Sequence, residues 1–228
     1  MPHSTQSKEA SRTMSEAEGQ ESRTGATGTR TGRPSFTETH RRAVRLEIAR
    51  AAVDLFTLQG VERTSAAEIA DAAGISLRTL WRYVPSKEET ITQLFTLAAE
   101  GLAARLRDWP RDVALADFLT GGSWHPELDA NTRALLREAS RLTRAEPALR
   151  TVSMQAAFAF QSHIAAAFAE RAGLPEPDLE TNVHAATLLA TLAVADQEYA
   201  WHHEGPDDES VRRALTARAL RAAARGLP

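Results

Sequence analysis

The chain has 228 residues, 43% of them hydrophobic, a formal net charge of −3 at pH 7 and no cysteine. This length allows one or two domains with a packed core. The absence of cysteine excludes disulfides, thiolate metal sites and a cysteine nucleophile. A chain without disulfides is typical of a cytoplasmic protein. The net negative charge excludes a protein surface that is basic throughout, so any contact with DNA must come from a local basic patch. No apolar run reaches the roughly 18 residues of a membrane span, so we expect no membrane partner.

The N-terminal segment, residues 1–34, is rich in Ser, Thr, Gly, Glu and Arg and contains almost no large apolar side chains. Such a segment cannot bury enough surface to offset its ordering entropy, so we predict a disordered tail. Arg30 and Arg33 stand just before the first helix, where a basic arm could enter a DNA minor groove. The alternative is a solvated tail.

The first helix is predicted over residues 37–59, because apolar residues recur there at three- and four-residue steps. Gly60 ends it. The opposite face carries basic residues near the helix start: His40, Arg41, Arg42 and Arg45. The helix dipole disfavours cations at this end, whereas a DNA phosphate backbone would stabilise them. Arg41 and Arg42 are therefore predicted phosphate contacts, with ordinary surface arginines as the alternative.

The most distinctive stretch covers residues 64–89. Two short helices are predicted over residues 66–73 and 77–83, joined at Gly74 in the left-handed conformation that glycine adopts without strain. Capping signals mark three helix starts: Ser65 with Glu68, Ser76, and Ser86 with Glu89. Two helices joined by a short turn containing glycine form the helix-turn-helix pattern that reads DNA.

From residue 89 onward the pattern remains helical, and no stretch alternates as a strand would. A fourth helix is predicted to start after Ser86 and to end near Trp109, before further helices over residues 113–120, 128–144, 147–172, 178–203 and 208–225. We therefore predict an all-α fold of about nine helices. It divides into the tail (1–34), a three-helix helix-turn-helix DNA-binding domain (35–88) and a C-terminal helical bundle (89–228).

The last two predicted helices are rich in alanine, and small side chains let helix axes approach closely. Two such helices from each of two subunits would form a four-helix interface. A DNA-reading unit usually works as a two-fold dimer, which favours a homodimer formed through these helices. The alternative is that both helices pack in the core of a monomer.

One set of residues between positions 40 and 95 follows a family pattern in order and without insertion. It comprises Ala51-Ala52-(x)2-Leu55-Phe56-(x)3-Gly60, Thr64-Ser65, Ile69-Ala70-(x)2-Ala73-Gly74, Ser76, Thr79-Leu80-(x)-Arg82-Tyr83 and Lys87-Glu88. This pattern resembles the TetR family of bacterial transcriptional regulators. Trp81 and Val84 depart from it, since tyrosine and phenylalanine are usual at those positions. The indole N–H of Trp81 still offers a donor to phosphate.

The resemblance implies a ligand-responsive homodimer that binds operator DNA. Most members are repressors, released from DNA by a small molecule in the C-terminal domain, here residues 89–228. The C-terminal half also resembles the mycofactocin-type subgroup with an acyl-CoA-like ligand domain, on segments 144–149 and 171–175. This second resemblance implies a small hydrophobic or acyl-type effector.

The predicted DNA contacts divide by role. Arg78 is the candidate for reading base edges, because a guanidinium pairs with guanine through two hydrogen bonds. Thr79 would touch a thymine methyl or a phosphate. The other predicted contacts to DNA are Thr64, Ser65, Ser76, Trp81, Arg82, Tyr83 and Lys87, together with Arg41 and Arg42.

The effector pocket is predicted within the C-terminal bundle, where apolar side chains with few polar groups suit a lipid-like or aromatic ligand. Its candidate residues are Trp109, Phe118, Trp124, Arg141, Met154, Phe158, His163 and Tyr199. Core packing is the alternative for the apolar residues, and a solvated basic face is the alternative for Arg141.

Two other classes of function are the rivals. An enzyme is disfavoured, because no histidine has Glu or Cys at a metal-ligand spacing and no phosphate loop or nucleophile elbow is present. We therefore expect no catalytic residue, metal or cofactor. The other rival is a helical interaction module with a non-functional DNA-binding head. Sequence-specific, salt-sensitive DNA binding would separate the regulator from this module.

Overall fold

The computed structural model describes residues 36–121 and 128–226. Within these residues the secondary structure is helical and contains no strand, which confirms the predicted all-α fold of about nine helices. The helices are α1 (Phe36–Gln59), α2 (Ala66–Ala72), α3 (Leu77–Tyr83), α4 (Thr92–Arg107), α5 (Leu115–Thr120), α6 (Ala130–Ala145), α7 (Pro147–Ala172), α8 (Leu179–His202) and α9 (Glu209–Ala224). A 3-10 turn, Glu88–Ile91, precedes α4. The predicted tail, with Arg30 and Arg33, lies outside the described residues.

The helix-turn-helix forms as the capping residues predict. The backbone N–H of Glu68 donates to Ser65 Oγ (3.2 Å), and the backbone N–H of Ser65 donates to Glu68 Oε2 (2.7 Å), which completes the capping box of α2. The backbone N–H of Ser65 is the leading cause that lowers the pKa of the Glu68 carboxyl below its ordinary value. Ser76 Oγ caps α3 by accepting from the N–H of Thr79 (3.1 Å). Gly74, with φ +68°, makes the turn between the two helices.

The fourth helix starts later than predicted. Glu89 N–H donates to Ser86 Oγ (3.2 Å), as the capping signal implies, but the next turn is a 3-10 turn. The cause is Thr90, whose backbone N–H (3.3 Å) and hydroxyl (2.5 Å) both donate to the Lys87 carbonyl three residues back. This i to i+3 bonding tightens the turn, and α-helical geometry begins only at Thr92.

Two clusters of buried apolar residues form the core. The first joins the helix-turn-helix and α1 to α6 and α7, which contribute Leu135, Leu136, Ala139, Leu149 and Val152. The second joins α4, α5, α7 and α8. Helix α4 enters both clusters, through Leu94 in the first and through Leu102 and Leu106 in the second. The residues from Phe36 onward form one compact unit, so the domain boundary at residues 88 and 89 stays a prediction.

The backbone conformation at Gly74 gives a first prediction. A Cβ built there meets no atom within 4 Å, so the cost of Gly74→Ala comes from the positive φ alone. We expect the free energy of unfolding to fall by about 1 kcal/mol in Gly74→Ala, and by less in Gly74→Asn, since asparagine tolerates the left-handed region. Urea denaturation of both variants measures this difference. An alanine variant as stable as the wild type would contradict it.

Candidate DNA-binding surface and ligand cavity

Helix α3 presents one face to the core and another to solvent. Leu80 is fully buried, whereas Leu77 and Trp81 remain 41% and 46% exposed. Arg78 and Arg82 are exposed beside them. The solvent side of α3 forms a shallow depression bordered by Leu77, Arg78, Thr79, Trp81 and Arg82. This face therefore carries two cations and two large apolar side chains on a single short helix.

A second depression connects α3 with the start of α1. It is bordered by Arg41, Arg45, Arg82 and Tyr83, and the guanidinium carbon of Arg82 lies 5.6 Å from the centroid of the Tyr83 ring. Three guanidinium groups thus converge where a polyanion would meet the outward face of α3. Arg45 belongs to the basic face of α1 that, from the sequence, a phosphate backbone would stabilise. Its signal is the four-residue spacing from Arg41, which places both residues on one face of α1.

Arg42, predicted to contact phosphate, faces another side of α1. Its guanidinium forms an ion pair with the carboxylate of Glu100 on α4. One residue step turns an α-helix by about 100°, and Arg42 is not among the residues that border the depression with Arg41. The ion pair links α1 to α4 and competes with the phosphate contact predicted for Arg42, which stays a prediction.

Thr64 and Lys87 are also engaged within the protein. Thr64 is 1% exposed, and its hydroxyl donates to the carbonyl of Gly60 (2.8 Å). Lys87 Nζ donates to the carbonyl oxygens of Val61 (2.7 Å) and Thr64 (2.8 Å). These internal bonds compete with the phosphate contacts predicted for both residues, which stay predictions. Lys87 holds the loop between α1 and α2 against the start of the 3-10 turn.

The three remaining hydroxyl residues act first as helix caps. Ser65 Oγ lies 2.7 Å from Glu68 Oε2 and also accepts from the Glu68 N–H. Ser76 Oγ and Thr79 Oγ1 lie 2.8 Å apart, so these hydroxyls bond to each other. Their local bonds fix where α2 and α3 begin. The contacts to DNA predicted for them stay predictions.

Four helices, α4, α6, α7 and α8, border an apolar cavity of about 340 Å³ that opens to solvent. Met154 and Phe158, both predicted pocket residues, line it, and Phe158 is 78% exposed at its edge. The remaining walls come from α4, α6 and α8: Phe95, Ala98, Ala99, Leu102, Ser140, Thr143, Ala186, Leu189, Ala190, Leu192, Ala193, Asp196 and Gln197, with Ser153, Ala157 and Gln161 from α7. No Lys or Arg is among these described lining residues.

Trp109 and Phe118, also predicted for the pocket, lie outside this cavity. Their rings stack at 6.3 Å, and Trp109 Nε1 donates to the Val113 carbonyl (2.7 Å). The Arg171 guanidinium lies 3.5 Å from the Trp109 ring centroid. Trp109 borders a separate depression between α7, α8 and α9. Trp109 follows the C-terminal end of α4 and therefore lies away from the cavity.

Three further predicted pocket residues have other surroundings. Arg141 caps the end of α8, because its Nε donates to the Ala200 carbonyl (2.8 Å). Tyr199 is buried, and its hydroxyl donates to Asp207 Oδ1 (2.8 Å). His163 is exposed on α7. None of the three lines the cavity, and Trp124 lies outside the described residues.

Tyr199 belongs to a polar cluster that joins α8 to α9 and in which Tyr199 and Arg212 are buried. Arg212 is 3% exposed, pairs with Asp207 and Asp196, and places its guanidinium carbon 4.3 Å from the Tyr199 ring centroid. Burial opposes ionisation of Asp207, but the Tyr199 hydroxyl and Arg212 together hold its pKa below the ordinary value. This cluster fixes α9 on α8.

The alanines of α8 and α9 divide between the core and the surface. Ala185 and Ala195 are buried, as the packing alternative predicts. Others are exposed along one side of α8 with two valines: Val183, Ala186, Ala190 and Val194. This outer stripe is the surface left for a partner subunit, and the homodimer stays a prediction.

Two further features concern residues 36–121 and 128–226. No group of three or more His, Asp or Glu residues in these ranges could hold a metal ion. No helix in the same described part of the chain is long and apolar enough to cross a membrane.

Two family models match this chain. Residues 48–93 match the model of bacterial regulatory proteins of the tetR family, and residues 125–228 match the model of the MftR C-terminal domain. The chain belongs to the TetR family. Its helix-turn-helix is therefore the DNA-binding domain of a TetR-family transcriptional regulator, and its C-terminal domain is MftR-like.

Solved structures resemble this TetR-family regulator at low sequence identity. A TetR-family transcriptional regulator from Rhodococcus sp. has a TM-score of 0.52 at 20% identity, covering 81% of this chain and 98% of its own. One from Streptomyces coelicolor has a TM-score of 0.47 at 20% identity, covering 80% and 79%. Thermus thermophilus FadR, a TetR-family repressor solved in complex with lauroyl-CoA, has a TM-score of 0.45 at 22% identity, covering 81% and 95%. The Rhodococcus structure shares the fold. No curated protein matches the chain.

The bonds of Lys87 give a second prediction. Hydrogen bonds from a charged donor contribute roughly 1.5–3 kcal/mol, so we expect Lys87→Met to lower the free energy of unfolding by about 2 kcal/mol. Because the ammonium is engaged within the protein, the salt dependence of DNA affinity should stay unchanged. Arg41→Met is the matched control, since Arg41 is exposed. It should leave stability within about 0.5 kcal/mol and reduce the salt slope by about one per bound subunit. The opposite pattern would support Lys87 as a phosphate contact.

Proposed function

We propose that this TetR-family regulator is a homodimeric repressor, released from its operator by a small hydrophobic or acyl-type ligand. The observation that carries the proposal is the outward face of α3. There Arg78 and Arg82 border one depression, and Arg82 also borders a second one with Arg41 and Arg45 of α1. Leu80 anchors the helix in the core. A chain with a net charge of −3 thus concentrates cations on the one helix that a major groove can accept.

In this proposal the arginines have two different roles in DNA recognition. Arg78, near the N-terminal end of α3, reaches base edges and pairs with guanine O6 and N7. Arg41, Arg45 and Arg82 hold the phosphate backbone and set the register of the helix in the groove. Glu38 lies 3.6 Å from Arg45, and phosphate would compete with this exposed carboxylate.

The homodimer is supported by the outer stripe of α8. Val183, Ala186, Ala190 and Val194 follow one another at three- and four-residue steps and face solvent. Small side chains there let the same helix of a second subunit approach closely, as a two-fold interface requires. Two recognition helices on one rigid dimer would then meet half-sites one helical turn apart.

The ligand is assigned to the cavity between α4, α6, α7 and α8. Its volume of about 340 Å³ lies at the lower end of small-molecule sites, and its walls are mainly apolar. With no basic side chain among the described lining residues, the cavity suits an apolar molecule or the chain of an acyl compound. The phosphates of a CoA group would have to remain outside it.

Helix α4 is the element through which the ligand would act. Phe95, Ala98 and Leu102 face the cavity, while Leu94 on the same helix packs in the core shared with the helix-turn-helix. A ligand that prefers one position of α4 would therefore shift the separation of the two recognition helices. Ala186 and Ala190 border both the cavity and the outer stripe, so occupancy could also alter the dimer interface.

Selection of bound DNA from a random pool tests the DNA-binding part of the proposal. We expect two inverted half-sites about one helical turn apart, bound with strong salt dependence. Arg78→Ala should bind more weakly and should lose about 1–3 kcal/mol of discrimination at one base pair per half-site. Equilibrium binding to a set of single-base operator variants measures this loss.

The control for this test is Arg213→Ala, which removes an exposed arginine of α9 and should leave discrimination unchanged. Equal discrimination by Arg78→Ala and the wild type would remove Arg78 from base reading. Failure of the wild type to select any sequence, even at low salt, would favour the helical interaction module.

A cavity-filling variant tests the ligand site. Ala157 lines the cavity, whereas Ala159, two residues along α7, is exposed outside it. Ala157→Phe should keep its operator affinity but lose the rise in Tm and the release from DNA that a ligand gives the wild type. The probes are straight-chain fatty acids and their CoA thioesters. Ala159→Phe should respond as the wild type does, and an equal response of Ala157→Phe would place the ligand elsewhere.

A further inference from the structure

The two apolar side chains on the outward face of α3 have no role in the core. Leu77 and Trp81 are 41% and 46% exposed, although Leu80 between them is fully buried. They are four residues apart, so they form one stripe along the helix. Arg78 and Arg82 form a parallel stripe with the same spacing, and all four border one depression.

Single exposed apolar residues are normal on protein surfaces. The arrangement here differs because two large ones occupy the solvent side of a seven-residue helix, in one depression with the arginines proposed to bind DNA. Whatever surface receives Arg78 and Arg82 must also cover Leu77 and Trp81. That surface needs apolar groups placed beside hydrogen-bond acceptors.

We propose that Leu77 and Trp81 read thymine, by packing against C5-methyl groups in the major groove. This inference rests on the proposed DNA-binding function and specifies the bases it recognises. The thymine methyl is the apolar group in the major-groove pattern, and the O6 and N7 acceptors of guanine are the partners of Arg78. A half-site containing both bases matches the two stripes of α3.

Thr79, the sequence-based candidate for a thymine methyl, is less suited to this role. It is only partly exposed, and its hydroxyl bonds to Ser76 at the start of the helix. The more exposed Leu77 and Trp81 extend further from the helix axis. Their side chains therefore reach the floor of the groove before that of Thr79.

The helix geometry limits where the two thymines lie. Four residues of an α-helix rise about 6 Å, and successive base pairs are separated by about 3.4 Å. Leu77 and Trp81 should therefore contact thymines no more than about two base-pair steps apart. The guanine read by Arg78 should lie within the same few base pairs, since all three side chains border one depression.

Replacing thymine by deoxyuridine in the selected operator tests the inference, because this change removes only the methyl group. From the free energy of burying one methyl, we expect binding to weaken about fourfold per contacted thymine. Substitution at equivalent positions in both half-sites of a dimer should weaken it about 15-fold. Leu77→Ala should abolish the effect at one position, and Trp81→Ala should abolish it at another.

Three variants keep this test specific. Leu77→Met retains an apolar side chain and should retain the deoxyuridine effect. Arg78→Ala should lose affinity but keep the effect, because its contact is with guanine. Leu58→Ala removes an exposed leucine that borders a different depression on α1 and should behave as the wild type does. Thermal unfolding of each variant verifies that it is folded.

The possible outcomes separate the inference from the proposed function. A methyl effect that disappears in Leu77→Ala and persists in Leu77→Met supports thymine reading. If no thymine of the operator shows an effect, or if both alanine variants retain it in full, the inference is overturned while DNA binding stands. If the wild type binds no sequence selectively, the proposed function itself fails.

Discussion

The ammonium group of Lys87 is the interaction on which the position of the DNA-reading unit depends. Its bonds to the carbonyl oxygens of Val61 and Thr64 join the loop after α1 to the segment after α3. Thr64 is in turn bonded to the carbonyl of Gly60, where α1 has ended. The loop at residues 60–64 and the segment that begins at Lys87 are therefore joined through one partly buried charged group. Such charge-assisted bonds are stronger than neutral ones and costly to leave unmade. The outward face of α3 can present its arginines in a fixed direction because this support lies behind it.

The same support continues into the ligand-binding bundle. Lys87 immediately precedes the 3-10 turn, and that turn leads directly into α4. Buried Leu94 on α4 packs with Leu135 and Leu136 of α6 in the core that also holds Phe56 and Leu80. Close-packed interiors transmit displacement because their compressibility is low. A displacement of α4 at the cavity would therefore also displace α3. Leu102 at the cavity is about two helical turns from Leu94, which packs in the same core cluster as Leu80 of α3. The ion pair of Arg42 with Glu100 adds a second connection between α1 and α4.

The sequence was sufficient where structure depends on neighbours in the chain. Ser65 with Glu68, Ser76, Gly60 and Gly74 act within four residues of themselves, and their predicted caps and turns are confirmed. Partners distant in sequence could not be found in this way. Nothing in the local pattern links Arg42 to Glu100 or Arg141 to the end of α8, because these pairs are 58 and 59 residues apart. Trp109 and Tyr199 were predicted to line the pocket because the sequence does not show which distant residues they pack against. Only the packing of whole helices determines which large side chains meet in a cavity and which fill the core.

The balance of charge in the head shows why residue positions decide its function. From position 40 to 89 acidic and basic residues are nearly equal in number, which alone gives no attraction to DNA. Glu47 and Asp54 border another depression on α1, where Arg50 accompanies them. Glu68 is held in the capping box, and Glu100 pairs with Arg42. Arg41, Arg45, Arg78 and Arg82 remain on the outward side, so a balanced sequence becomes a polarised surface. Since interactions between exposed charges are screened within roughly 8–10 Å at physiological salt, acids on the far side of α1 do little to oppose a phosphate bound at this face.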